Sequence, residues 1–299
     1  MDFSPLLIPP VGPIFAFLWG AIWGSFANVV IYRLPAGLSV VWPGSRCGSC
    51  SHPLGAIDNI PILSYLFLRG RCRHCNASFS PRYAVIEALT ALLTLAAYLL
   101  SPLYTGTVTG STLLVFLSTF AFILLLIIIS FIDWDTFIVP DVLVIPAIFL
   151  GVPITWALSI LSLTETLAGL VAGYGIFFAT THIYRIIRKA EGLGLGDAKL
   201  LGAIGVWLGP MALAPVIFLA SVQGILFTGA AAVFRLTWPN PKPYFGITDD
   251  GEYEEFLSTR DKTWRLKPIP FGPFLSLAAL EFLFFRPQIL AFMTNFFQL

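Results

Sequence analysis

The 299 residues specify an all-α, polytopic membrane protein of about eight transmembrane helices with a cytoplasmic zinc-ribbon-like loop. Three observations lead there. The chain is 57% hydrophobic and only 11% charged, with a mean hydropathy of +0.86, outside the range of a water-soluble domain. Its 17 basic residues crowd into a few segments between apolar runs, and all four cysteines lie in one of those segments. Disorder is excluded by 27 Phe, 8 Trp and 9 Tyr, far more apolar surface than a solvated chain tolerates. A solenoid is excluded because no repeat recurs. The formal net charge of +1 says nothing about partners, and no nucleic-acid partner is expected.

Each helix follows from an apolar run near the roughly 20 residues that cross a bilayer. The runs fall at about residues 12–32, 83–100, 112–132, 138–158, 166–184, 198–209, 212–234 and 270–292. Before Trp23 the only charge is Asp2, and the lack of a basic leader argues against a cleavable signal peptide. The first basic residue is Arg33, which orients the first helix with its N-terminus outside. An even number of spans then puts both termini outside. The sixth run is short, and Gly205, Gly209 and Pro210 mark it as broken, re-entrant or shielded by its neighbours.

The basic residues test this threading, because they belong in cytoplasmic loops. Arg33, Arg46, Arg69, Arg71, Arg73 and Arg82 follow the first span; Arg185, Arg188, Lys189 and Lys199 follow the fifth; the rest apart from Arg286 follow the seventh. The expected organisation is a first helix at 1–33, a cytoplasmic four-cysteine loop at 34–82, helices two to seven at 83–234, a charged cytoplasmic loop at 235–268 and a last helix at 269–299.

The first loop holds Cys47-x-x-Cys50 and Cys72-x-x-Cys75. Two such pairs can converge as four thiolates on one tetrahedral Zn²⁺. Gly48 would permit the tight turn of R-C-G-S-C, and nearby arginines favour thiolate. Disulfides or redox dithiols are the alternative, against which stands the reducing compartment assigned to the loop. His52 and His74 read as bystanders. A four-thiolate site has no open position, so the metal folds the loop and does no chemistry.

Acids in or at the ends of spans are functional candidates by default. Glu87 lies near the start of span two, Asp133 and Asp135 at the end of span three, Asp141 at the start of span four and Asp197 at the start of span six; Glu165 and Glu281 lie elsewhere. Threading puts Asp133 and Asp197 at one depth. Two carboxyls brought together there share one proton, the requirement for aspartyl proteolysis: one takes a proton from water and the other donates to the scissile carbonyl. Asp135 would face away from Asp133 on a helix, and Asp141, after Pro140, fits an N-cap. Asp197 closes the string Gly192-Leu193-Gly194-Leu195-Gly196-Asp197. The glycines remove bulk so that a substrate backbone can approach, with Gly194 and Gly196 as the access residues. The other reading is a hinge with Asp197 as the N-cap of span six.

Together these segments resemble the prepilin peptidases, or type IV leader peptidases, membrane aspartyl proteases of the G-x-G-D type. The resemblance runs through G-S-F-A-N-V-V-I-Y-R-L-P from Gly24, both cysteine pairs, N-I-P-I-L-S-Y-L from Asn59, P-R-Y from Pro81 and E-A-L-T-A from Glu87. It continues through D-W-D-T-F-I-V-P-D from Asp133, G-L-G-D-A-K-L from Gly194 and P-F-G-P-F-L from Pro270. It implies that Asp133 and Asp197 are the catalytic aspartates and that the four cysteines form the zinc loop of the bifunctional members. It implies a multi-pass protein of the bacterial inner membrane, its active site facing the cytoplasm, that cuts the basic leader of prepilins and pseudopilins after a glycine. N-methylation of the new N-terminus with S-adenosylmethionine is implied by the resemblance alone. A pilus or secretion assembly machinery is a possible partner.

The stretch from Trp238 to Lys267, with acids at 249–255 and bases at 260–267, reads as a solvated loop longer than the family pattern. A proton-coupled transporter would also need intramembrane acids, but should repeat a pair of interrupted spans. A non-catalytic assembly scaffold would leave the two aspartates without a use.

Overall fold

The computed structural model describes residues 9–188, 194–234 and 269–297. The charged loop expected at 235–268 and both chain ends lie outside the described residues. Helices account for nearly all regular structure: α1 (Val11–Arg33), α2 (Leu63–Leu68), α3 (Arg82–Leu99), α4 (Gly110–Thr136), α5 (Asp141–Ala157), α6 (Leu163–Arg188), α7 (Leu195–Leu208), α8 (Leu213–Val233) and α9 (Gly272–Phe297). Among the described residues six helices are long and apolar enough to cross a membrane, namely α1, α3, α4, α6, α8 and α9, and α5 is a shorter apolar helix. All eight expected runs are therefore helical, and the protein is all-helical and multi-pass.

The chain divides into two compact units between Ile128 and Ile129. In the first, α1 packs along α3. The approach is close because Gly20 and Gly24 face α3: a Cβ on Gly20 would meet the Ala91 Cα at 2.8 Å, and one on Gly24 the Glu87 Cα at 2.8 Å. Small residues at a four-residue spacing let apolar helices gain dispersion contact where lipid offers no hydrophobic drive. Thr90 and Thr94 on the same seam turn their hydroxyls back to the Ile86 and Thr90 carbonyls, each at 2.7 Å, so neither is an unsatisfied donor in the apolar interface.

The second unit is built around α7. Its Leu200, Leu201, Ala203, Ile204 and Val206 are fully buried, and α6, α5 and α9 pack against it. This is why a 14-residue helix that could not bridge a bilayer alone is tolerated: its neighbours cover it. The helix is unbroken, so Gly205 is not a break point. Gly205 and Gly169 of α6 lie so close that a Cβ on either would strike the other's carbonyl. The chain turns only at Gly209, whose φ of +83° ends α7 before a short 3₁₀ turn at Pro210–Ala212 leads into α8. The last helix, α9, kinks at Phe285, two residues before Pro287, which lacks the N–H that would bond one turn back.

Candidate active site and metal centre

Asp133 sits one turn from the end of α4, buried to 4% exposure. The helix closes behind it: the Phe137 N–H bonds the Asp133 carbonyl at 2.8 Å, and Phe137 takes a left-handed φ of 58°. The Asp133 carboxylate accepts the backbone N–H of Gly272 at 3.0 Å. Gly272 is the first residue of α9, where backbone N–H groups have no partner within the helix and the dipole's positive end faces outward. Space is tight there as well: a Cβ would meet Asp133 Oδ2 at 2.6 Å, so the carboxyl or the start of α9 would have to shift.

Asp197 is the third residue of α7, with Gly194 at the N-cap. It is therefore not the cap itself: its own N–H bonds the Gly194 carbonyl at 3.1 Å, and its carboxyl is hydrogen-bonded to the Gly194 backbone. Asp197 lies within electrostatic reach of Asp133. The fold thus brings together two acids 64 positions apart in the chain, counting from 133 to 197, one deeply buried and the other half-buried.

Two further ties set this spacing. Gly196 lies against Val139, whose Cβ a methyl on Gly196 would meet at 3.0 Å. Lys199 of α7 bonds both carboxylate oxygens of Asp141 at 2.7 and 2.8 Å. Asp141 is consequently the first helical residue of α5, behind a Pro140 N-cap and with no capping bond of its own; the lysine takes its carboxylate instead. Gly194 is the more open glycine, its nearest neighbour for a Cβ being Asp197 Oδ2 at 3.7 Å. In the sequence Gly272 and Lys199 stand only as members of the P-F-G-P-F-L and G-L-G-D-A-K-L strings. Gly272 acts through its backbone, and no pattern of side chains reveals that.

In the first unit the two cysteine pairs form matching knuckles. The Cys47 N–H bonds the His52 carbonyl and the Ser51 N–H the Cys47 carbonyl; Cys72 repeats this with Ala77 and Asn76, all at 2.9 Å. The left-handed residues are Ser51 (φ 57°) and Asn76 (φ 56°). The turn thus falls at the fourth residue after each leading cysteine, and Gly48 is not its pivot. All four cysteines are free thiols, their Sγ atoms within 4.8 Å of one another. Cys47 and Cys75 Sγ are 3.8 Å apart, close to the ~3.8 Å edge of a tetrahedron with 2.3 Å metal–sulfur bonds. His52 and His74 lie against each other, ring centroids 3.6 Å apart and planes tilted by 35°.

The thiol charges agree with a cation site. Backbone N–H groups of Cys50 and then Ser49 hold the Cys47 thiol down to about 6. Cys75 is bonded to the Ala77 backbone, which alone would lower it, yet desolvation and the three other cysteines push it up to about 11. Four thiols this close ionise together only around a cation. The residues present fit a four-thiolate metal.

The loop is fastened to the spans. Glu87 of α3 accepts the Ile62 N–H at 2.7 Å and is hydrogen-bonded to the Ser25 side chain. Asn28 of α1 donates to the Tyr83 carbonyl at 3.1 Å. Ile62, with φ 64° and ψ −52°, centres a γ-turn closed by the Leu63 N–H to the Pro61 carbonyl at 2.6 Å, a strained geometry for a β-branched residue.

Two family models match the chain: the bacterial peptidase A24 N-terminal domain over residues 18–101 and the type IV leader peptidase family over residues 120–229. The first covers both cysteine pairs and Glu87, the second Asp133 and Asp197. Among curated proteins, the prepilin leader peptidase/N-methyltransferase of Aeromonas hydrophila is 34% identical, over 94% of this chain and 93% of that protein. Proteins of the same description from Klebsiella pneumoniae (38% identical over 72% of this chain and 96% of the relative) and Myxococcus xanthus (32% over 94% and 92%) match as well. No solved structure matches. With relatives above 30% identity aligned over almost the whole length, the chain belongs to the prepilin leader peptidase/N-methyltransferase family.

Proposed function

We propose that this protein cleaves the basic leader from prepilins and pseudopilins at the cytoplasmic face of the bacterial inner membrane, with Asp133 and Asp197 as the catalytic pair, and then N-methylates the new N-terminus. The observation that carries the reading is the approach of two carboxyls, on helices far apart in sequence, at one end of the second unit. With one proton between them, the ionised carboxylate removes a proton from water as the water oxygen bonds the scissile carbonyl carbon. The protonated one gives its proton to the carbonyl oxygen. Collapse of the tetrahedral diol breaks the C–N bond: the leaving amine takes the proton that came from water, a diol hydroxyl returns its proton to the other carboxylate as the carbonyl re-forms, and the singly protonated pair is restored. The titration belongs to the pair, so neither acid is assigned a fixed role. Gly272 aims Asp133, while the Val139–Gly196 contact and the Asp141–Lys199 pair seat the start of α7. Gly194 leaves room beside Asp197 for an extended substrate backbone.

Cys47, Cys50, Cys72 and Cys75 hold a structural zinc, which supplies a closed cross-link between the two knuckles and no open coordination position. S-adenosylmethionine is the methyl donor by family membership. Both termini lie outside, and the clustering of basic residues in the segments at 34–82 and 235–268 puts those on the cytoplasmic side. The functional division is the one read from sequence: an anchoring helix at 1–33, the zinc loop at 34–82, helices with the acids at 83–234, the charged loop at 235–268 and the last helix at 269–299. The test is mass analysis of a prepilin incubated with purified enzyme and methyl donor. Loss of the leader and gain of one methyl group are expected, with alanine at either acid abolishing cleavage. Undiminished cleavage by either alanine variant would overturn the assignment.

A further inference from the structure

The four-cysteine loop carries large apolar side chains with no protein cover. Val41 is 83% exposed, Trp42 76% and Phe67 80%. Leu63 and Leu66 are exposed as well, and with Phe67 they occupy the i, i+3 and i+4 positions of α2, one face of the helix. A water-facing loop does not ordinarily leave this much apolar surface bare.

Both patches are tied to the ends of membrane spans. Arg33, the last residue of α1, donates to the carbonyls of Ser39 (3.1 Å), Pro43 (2.6 Å) and Gly44 (3.3 Å). The Val41–Trp42 turn is thereby folded back on the end of α1. The second patch begins at Leu63, next to Ile62, whose N–H is held by Glu87. Glu87 lies five residues into α3, roughly 8 Å along its axis. All 18 residues of α3 rise about 27 Å, just short of the ~30 Å hydrocarbon core. Arg82 therefore stands at the edge of that core, and α2 starts at or below it.

The charge of the loop points the same way. Arg46, Arg69, Arg71, Arg73 and Arg82 face a single acid, Asp58, between residues 34 and 82, and Asp58 is already paired with Arg73 at 2.8 Å. Even with the two net negative charges of a four-thiolate zinc the segment stays positive. Aromatic and aliphatic side chains at the bilayer edge, with arginines beside them, are the composition that binds an anionic lipid surface.

We propose that the four-cysteine loop is seated on the bilayer, with Val41, Trp42 and the Leu63–Leu66–Phe67 face of α2 inserted among the acyl chains at the headgroup boundary and its arginines on anionic headgroups. The inference needs only the multi-pass fold, not the assignment of the acids or the metal.

The experiment places the photoreactive residue p-benzoylphenylalanine at position 42 or 67 of the full-length protein, with position 51, an exposed knuckle tip, as control. Each protein is reconstituted in nanodiscs of phosphatidylethanolamine and phosphatidylglycerol, irradiated and analysed by mass. Phospholipid adducts are expected at 42 and 67 and not at 51, with phosphatidylglycerol enriched about fivefold over its share of the bilayer, the factor one surface arginine confers. Replacing Arg69 and Arg71 by Gln should lower that enrichment at position 67 and leave the adducts, since Arg46, Arg73 and Arg82 remain in the loop. Absence of lipid adducts at 42 and 67, or adducts formed only with added prepilin, would overturn the proposal. An adduct without phosphatidylglycerol enrichment would overturn its electrostatic half. Prepilin cleavage by the same samples shows that each variant is folded.

Discussion

Replacing Gly272 with alanine should disable leader cleavage although no ionisable group is touched. The added Cβ would lie 2.6 Å from Asp133 Oδ2 and 3.2 Å from Asp133 Cγ, where comfortable contact begins near 3.5 Å. Either the carboxyl retreats by roughly 0.9 Å or the start of α9 moves by as much, and both stretch the 3.0 Å bond from the Gly272 N–H. Misplacing a catalytic group by about 1 Å costs on the order of 100-fold in rate, and overpacking a buried site costs ~1–3 kcal/mol of stability. The two effects separate if single-turnover cleavage of a prepilin is measured at matched amounts of folded enzyme. A rate near one hundredth of wild type is expected. Gly229→Ala, where a Cβ meets nothing within 4 Å, is the control and should cleave normally. A Gly272→Ala enzyme within about threefold of wild type would show that the Asp133 carboxyl needs no such seat, contrary to the scale of effect expected from displacement.

Other expectations concern the surroundings of the pair and the metal. Asp135→Asn and Asp141→Asn should each retain measurable cleavage; the Asp141–Lys199 pair is substantially exposed, and such pairs are worth ~0–1 kcal/mol, a few-fold in rate at most, so loss of all activity in either would promote that residue to the chemistry. Gly196→Val should impair cleavage severely and Gly196→Ala mildly, because the side chain grows into Val139. If Val139→Ala rescues Gly196→Val, the cause is packing at the start of α7; without rescue, obstruction of the substrate is the cause. The purified protein should hold about one zinc per chain, reduced by Cys72→Ser. The Cys47 thiol, held at about 6 against an ordinary 9.0, by itself favours the folded loop fully above pH 9 and loses that influence as pH falls through about 6, whereas Cys75, pushed up to about 11 by its three neighbours, acts in the opposite sense. Protons compete with a metal for the thiolates, so zinc release followed with a chromogenic chelator should rise on acidification, and release independent of pH would contradict thiolate ligation.

The helices were legible because lipid demands long apolar runs, and expected and observed boundaries differ by only a few residues. The status of α7 was harder to read. Its glycines and short length left a broken, re-entrant or shielded helix open, and the fold decides for shielding: Gly205 serves close packing against Gly169, a contact between helices that local sequence does not encode. The cysteine spacing announced the metal cluster. It did not announce the turn residues Ser51 and Asn76, since a left-handed conformation at a serine depends on the hydrogen bonds of the whole knuckle. The two aspartates stood out as costly charges in an apolar setting. Their seats did not: Gly272 lies 139 positions from Asp133 and contributes an N–H that every residue but proline possesses. Lys199 and Asp141 each looked like helix-end residues until the fold placed them in contact.

The central claim is that Asp133 and Asp197 act as one unit, and the most direct measurement compares leader cleavage by wild type, Asp133→Asn and Asp197→Asn at equal amounts of membrane-inserted enzyme. Asparagine preserves size and hydrogen-bonding capacity but can neither take a proton from water nor return one. The account predicts that each single variant is inactive and that the double variant is no worse than either. Cleavage near the wild-type rate by either single variant would contradict it, because a lone carboxyl would then be sufficient for the chemistry.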